Sequence, residues 1–298
     1  MAGSGAMSQP DLPRRRPQGP IEVHPVPEYL ADPALAARYG EMKQAFGVPW
    51  MGVVAMAHAH YRRFYDQLWS GLRALAGSSH FQESCRALRA ETERAAAAMD
   101  MAPLGDELDR LGYAPREVAE IRATLEVFSI GNYPYLLLAS LSRHLLRGGT
   151  LVGEAGQLAP AVAATPQAPA KLVLMEAHHA DPGTRALYLR IQERLDLPFV
   201  NTDYRALARW PSYFQAAWAR LEPEIRTPQH LAACEALHEA ALKVVRHLPA
   251  QPGLEADRVI AAAEADASLS EVLAMVELFQ WLLPELCLNV ALLRAQLD

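Results

Sequence analysis

The sequence predicts an all-α protein of two pseudo-symmetric helical repeats, packed as an intramolecular pseudo-dimer with a site between them. Three observations carry this expectation. Ala31-Asp32-Pro33 recurs as Ala180-Asp181-Pro182, 149 residues later. The same offset pairs Tyr39 with Tyr188, Pro49 with Pro198, Trp69 with Trp218, Cys85 with Cys234 and Leu88 with Leu237. A constant offset over such a spread marks an internal duplication, which has to be read before any single motif. Apolar residues also fall at three- and four-residue steps nearly everywhere, while alternating β-branched runs bounded by turns are missing.

Residues 1–21 form a polar, Pro-rich lead that is expected to be disordered, with Met1 to Ala6 reading as a non-native stretch ahead of a start at Met7. Repeat one covers 22–147. Leu35, Tyr39, Met42 and Phe46 mark its first helix, and Val48-Pro49 breaks the chain. A second helix carries Trp69 and a third carries Cys85, with Glu83 to Glu93 as its solvated face. Val118, Ile121, Leu125 and Phe128 begin a final pair of apolar helices from about Pro115 to Leu146, divided near Gly131 and Pro134. Gly148-Gly149, Pro160, Pro166 and Pro169 give 148–170 the look of an extended linker. Repeat two, 171–298, runs the same course past Leu197-Pro198 and ends in helices from about Ser268 to Leu297.

Composition narrows the function. With 51% apolar and 21% charged residues the 298-residue chain has ample core material. A net charge of −6 and a single basic run, Arg14-Arg15-Arg16, argue against nucleic acid as a partner. No apolar stretch approaches the roughly 18 residues of a membrane span, and no secretory leader is seen, so a cytoplasmic location is expected. Cys85, Cys234 and Cys287 lack CxxC spacing and read as reduced core thiols. No histidine pair has convincing ligand spacing, and there is no HExxH motif, nucleophile elbow or glycine-rich phosphate loop. Neither a metal nor an organic cofactor is expected.

The repeats differ where polarity matters. Gly52-Val53-Val54 in repeat one becomes Asn201-Thr202-Asp203 in repeat two. Residues common to both copies report the scaffold, so a polar triplet in one copy suggests a grafted site. Asp203 begins a helical run, where it serves either as an N-cap or as a general base held ionised by the helix start. Asn132, within Ile130-Gly131-Asn132-Tyr133-Pro134-Tyr135, either satisfies backbone groups freed by Pro134 or positions a water. Repeat two is apolar in that region, at Leu283-Pro284, so each copy keeps one polar residue that the other lacks. Trp50, Phe279 and Leu288 fit either the core or the wall of a pocket.

Val48-Pro49-Trp50, Gly131-Asn132 with Tyr135 and Leu136 to Leu138, and Asp203-Tyr204 with Ala206-Leu207-Ala208 and Trp210-Pro211 together resemble the group I 2-haloacid dehalogenases. The resemblance runs from about Ala31 to the C-terminus. It implies an all-α pseudo-dimeric fold in which Asp203, with Asn132, activates a water that attacks the halogen-bearing carbon directly. Configuration is then inverted, without the covalent aspartyl ester of the unrelated Rossmann-like L-specific dehalogenases. On this reading Thr202 and the helix start hold the substrate carboxylate. Trp50, Val53 or Val54, Phe279 and Leu288 line the halogen pocket, and Tyr135 completes a polar face beside Asn132.

Family members that accept both enantiomers resemble one another in a small residue two positions before the base. Asn201 there implies D-specificity. Val53 stands where other members have an aromatic, and Tyr133-Pro134 replaces a Pro-Lys pair, which bears on pocket shape. The expected partners are a haloacid and water, with a homodimer as the expected assembly. The rival expectations are a DL enzyme and a non-catalytic helical ligand-binding module. A cysteine-based peroxidase or reductase is disfavoured because no thiols are paired in the sequence.

Overall fold

In the computed structural model, which describes residues 9–154, 158–160 and 172–298, twelve α-helices follow one another with no strand among the described residues. The first six are α1 (Pro33–Phe46), α2 (Val53–His58), α3 (Arg62–Ala76), α4 (Ser79–Ala97), α5 (Gly105–Arg110) and α6 (Pro115–Leu146). Then come α7 (Pro182–Leu195), α8 (Thr202–Leu207), α9 (Pro211–Leu221), α10 (Pro228–Arg246), α11 (Ala256–Glu264) and α12 (Leu269–Ala295). The offset of the sequence repeat returns in the backbone. α7, α8 and α10 begin and end at the equivalents of α1, α2 and α4.

Local chemistry explains why the equivalent helices share their ends. α1 and α7 each open with proline at the first helical position behind an aspartate whose carboxylate accepts from free N–H groups, Asp32 from Leu35 and Asp181 from Gly183 and Thr184. Each closes on a left-handed residue, Gly47 with φ 67° and Asp196 with φ 54°. Ser78 and Thr227 cap α4 and α10 in the same way. Even the tertiary ties recur: Tyr39 donates to the Val26 carbonyl and Tyr188 to the Met175 carbonyl, both at 2.8 Å.

The central packings between the repeats come in mirrored pairs, while α11 packs on α3 and α6 without a counterpart from α5. α6 lies along α12 at the centre; α10 packs on α6 as α4 packs on α12, and α8 on α6 as α2 on α12. This reciprocity is the rule for a twofold interface. The two repeats share one continuous hydrophobic core. Because α8 of repeat two rests on α6 of repeat one, residues of the two copies meet at that crossing.

Three expectations need correction. The final apolar pair of each repeat is one unbroken helix, and α6 runs through both Gly131 and Pro134. An internal proline costs about 3 kcal/mol. Burying each leucine returns about 2 kcal/mol, and Leu136, Leu137, Leu138, Leu141, Leu145 and Leu146 are all buried, so the continuous helix wins. Gly131 answers a different need: a Cβ there would come within 2.2 Å of the Trp50 ring.

Secondly, the lead is ordered from residue 9 onward. Leu12 is 3% exposed. Arg143 donates to the carbonyls of Leu12 and Pro13, His238 to that of Leu12 and Arg246 to that of Pro10. Arg14 lies over the Trp281 ring, donates to the Trp281 carbonyl and sits 3.8 Å from Glu285, both side chains being 7% exposed. A Pro-rich segment makes few backbone bonds of its own, so donors on α6 and α10 and acceptors on α12 hold it. Thirdly, α12 is long and apolar enough to span a membrane by length and composition, but 94% of that stretch is buried in the fold.

Residues 1–8 contain the proposed non-native stretch and lie outside the described residues, as do 155–157 and 161–170 of the linker region and residue 171. The described part of that region touches both repeats. Ser79 N donates to the Ala159 carbonyl and Val152 N to the Arg246 carbonyl.

Candidate active site

The site forms where α8 meets α6. Asp203 and Asn132 are 3% and 4% exposed, and the Asn132 Nδ2 donates to Asp203 Oδ1 at 2.7 Å. The two residues singled out because each copy keeps what the other lacks are thus in direct contact. Asn132 is brought there by the middle of α6, with Trp50 lying against the neighbouring Gly131.

Asp203 is not an N-cap. Asn201 occupies the cap position of α8 and makes no side-chain cap bond, while Asp203 sits inside the first turn. Thr202 and Tyr204 donate their N–H groups to no backbone acceptor among the described residues. Among the same residues Asn201 Oδ1 is buried without a partner. A cap residue that leaves its helix start open, with its own amide uncommitted, keeps both available to a ligand.

Electrostatics differ from expectation too. Burial pushes the Asp203 carboxyl up to about 6; the Asn132 hydrogen bond, its own N–H and Arg205 act in the opposite direction. Desolvation therefore outweighs the stabilisation expected from the helix start. The result is a carboxylate mostly ionised at neutral pH but far more basic than an exposed one.

The apolar wall is built by close approach. Trp50 packs on Phe128 with centroids 5.0 Å apart and on Tyr135 at 6.0 Å. Tyr135 was expected to offer its hydroxyl beside Asn132. It instead donates to the Trp50 carbonyl at 2.7 Å, fixing the break before α2. Its ring also explains why repeat one has glycine where repeat two has Asn201, since a Cβ on Gly52 would come within 2.9 Å of it. Val54, Phe279 and Leu288 are buried, Val53 is half-buried, and Phe279 packs on Phe199 at 6.0 Å. Thr202 is buried, and its hydroxyl accepts from Arg205 at 3.4 Å.

Arg205 was missed at the sequence level. It pairs with Glu176 at 2.6 Å and steadies Thr202. Its repeat mate is Met56, so the same one-copy polarity would have revealed it. Among the described residues no three His, Cys, Asp or Glu side chains gather as a metal site. The three cysteines are free and buried, and burial pushes each thiol up.

No protein-family model matches the chain. An (R)-2-haloacid dehalogenase of Rhizobium sp. (strain NHG3) is 52% identical over 250 residues, 84% of this chain and 97% of that protein. Among solved structures, a D-2-haloacid dehalogenase in complex with L-LA superposes with a TM-score of 0.89 at 33% identity, over 96% of this chain and all of the other. A mutant of a D-2-haloacid dehalogenase with D-2-CPA gives 0.87 at 34% identity, over 97% of this chain and all of the other.

Proposed function

The chain belongs to the (R)-2-haloacid dehalogenases, and from that premise we propose that Asp203 and Asn132 break the carbon–halogen bond by direct attack of one water. The observation that carries this is their buried 2.7 Å hydrogen bond. Because Asn132 Nδ2 occupies Asp203 Oδ1, the acceptors left on the pair are Asp203 Oδ2 and Asn132 Oδ1. A water donating one hydrogen bond to each of these acceptors turns its lone pairs toward the opposite side, where the substrate carbon is held.

Attack forms the carbon–oxygen bond as the carbon–halogen bond breaks, with the electron pair leaving on halide and one water proton passing to Asp203. Displacement from behind turns a D-2-haloacid into an L-2-hydroxyacid. The D-2-CPA and L-LA of the structural relatives carry opposite prefixes, which supports inversion. The free N–H groups at the start of α8, with Thr202, receive the substrate carboxylate. Trp50, Val54, Phe279 and Leu288 provide the dry surface for the halogen.

Asn201 filters the enantiomer. Its side chain is buried two residues before the base and has no partner to pull it aside among the described residues. It obstructs the placement that an L-substrate needs. Asn201→Ala is expected to bring L-2-chloropropionate within about tenfold of the D rate. The check is chloride release from each enantiomer, with product chirality determined. Wild type should release chloride from the D form only and yield L-lactate. Unchanged selectivity in Asn201→Ala would remove the steric account, and wild-type turnover of both enantiomers would favour the DL reading.

A further inference from the structure

A chain of buried polar groups ends one residue from the base. Arg226 N–H donates to His230 Nδ1 at 3.3 Å; His230 Nε2 is 3.0 Å from Asn289 Oδ1, and Asn289 Nδ2 donates to the Tyr204 hydroxyl at 3.1 Å. Tyr204, His230 and Asn289 are each fully buried. Their partners fix one arrangement: His230 is neutral, accepting at Nδ1 and donating from Nε2, and its burial also favours the neutral form. Tyr204 follows Asp203 on α8, and Asn289 follows Leu288 on α12. The chain therefore ties the segment holding the carboxylate to the helix that supplies Phe279 and Leu288.

Three polar residues in a core have to be accounted for, because burying such groups costs free energy unless every one is bonded. The scaffold itself does not need them. In repeat one Ala55 stands at the place of Tyr204 and Phe81 at that of His230, both fully buried, and Ala139 answers Asn289 when the helices are aligned on Pro134 and Pro284. Repeat one ties its short helix from the other end, through His58 to Ser142 at 3.1 Å. Leu207 replaces His58 in repeat two. The tie has moved to the first turn in the copy that carries Asp203.

A six-residue helix with an open start has little stability of its own, and its rotation about its axis is set by what it touches. That rotation aims the carboxylate. We infer that Tyr204, held by Asn289 and His230, is a positioning residue that fixes the orientation of Asp203 toward Asn132 and the reacting carbon. The inference rests on Asp203 being the base. The Tyr204 ring lies edge-on to Trp218 at 5.7 Å and stacks on Phe214, so removing the hydroxyl alone preserves its packing.

The test compares Tyr204→Phe, Asn289→Leu, His230→Phe, His230→Gln and Asp203→Asn with D-2-chloropropionate, each checked for folding by thermal unfolding. Tyr204→Phe should lower kcat about tenfold with KM within about twofold, and move the acid limb of the pH profile upward as the carboxylate loses its alignment with Asn132. Placed in an Asn132→Ala background, the same change should cost less than about twofold, because both act on one carboxylate. His230→Phe should lower kcat, and His230→Gln, which keeps a donor, should recover most of that loss. Folded variants of Tyr204 and Asn289 with wild-type kcat and an unmoved limb would overturn the inference, as would full additivity with Asn132→Ala. Turnover by Asp203→Asn would instead show that the reading of the base is at fault.

Discussion

Asp203→Asn is expected to stop halide release, by at least about 10³-fold, while leaving the helical fold in place. The same change should raise stability. The folded carboxyl lies at about 6 against an ordinary value of 3.8. A raised carboxylate pKa destabilises the fold once the group is ionised in both states, so the full cost is present above about pH 6 and fades as pH falls toward the unfolded value. A shift of this size corresponds to a destabilisation of about 3 kcal/mol. Asparagine carries no charge to desolvate and still accepts from Asn132. Thermal unfolding should therefore show the variant more stable than wild type at about pH 8 and nearly equal at about pH 4. Loss of activity together with loss of stability at alkaline pH would contradict desolvation as the origin of the raised pKa.

Asn132→Ala is expected to cut kcat about 10²-fold and to move the acid limb upward from about 6. The side chain is a buried donor to Asp203, so its removal leaves desolvation less opposed and favours the protonated, inactive carboxyl. The water also loses the amide oxygen that accepts its second hydrogen bond. A pH–rate profile with D-2-chloropropionate separates these effects, because the first moves the limb and the second lowers the plateau. A variant with unchanged plateau and limb would leave Asn132 only the structural role of serving the helix around Pro134.

The duplication made much of this legible. A fold that packs α8 of one copy onto α6 of the other brings complementary polar changes in the two copies to one place. Asp203 in the place of Val54, and Asn132 where repeat two has apolar leucines, were visible for that reason. What stayed hidden depends on acceptors that carry no side-chain signature. The Tyr135 hydroxyl goes to a backbone carbonyl, and the segment from Pro10 to Pro13 is held by donors far away in the chain.

Arg14 to Arg16 resembled a disordered flank because sequence shows charge, and only the fold shows that Glu285 and the Trp281 face await it. The register of the long helices was also obscured. Phe128 and Phe279 pack on repeat-mate aromatics, yet they are two residues out of step with the main offset, and Pro134 and Pro284 are one out. The stretch joining α4 to α6 differs in length from that joining α10 to α12.

The central claim is that oxygen reaches the product directly from water and never through the Asp203 carboxylate. A single turnover in H2¹⁸O, with enzyme in excess over D-2-chloropropionate, tests it. Direct attack predicts ¹⁸O in the lactate of the first turnover and none in Asp203. Unlabelled lactate, with the heavy isotope found afterwards in the Asp203 carboxylate, would establish a covalent ester and contradict direct attack.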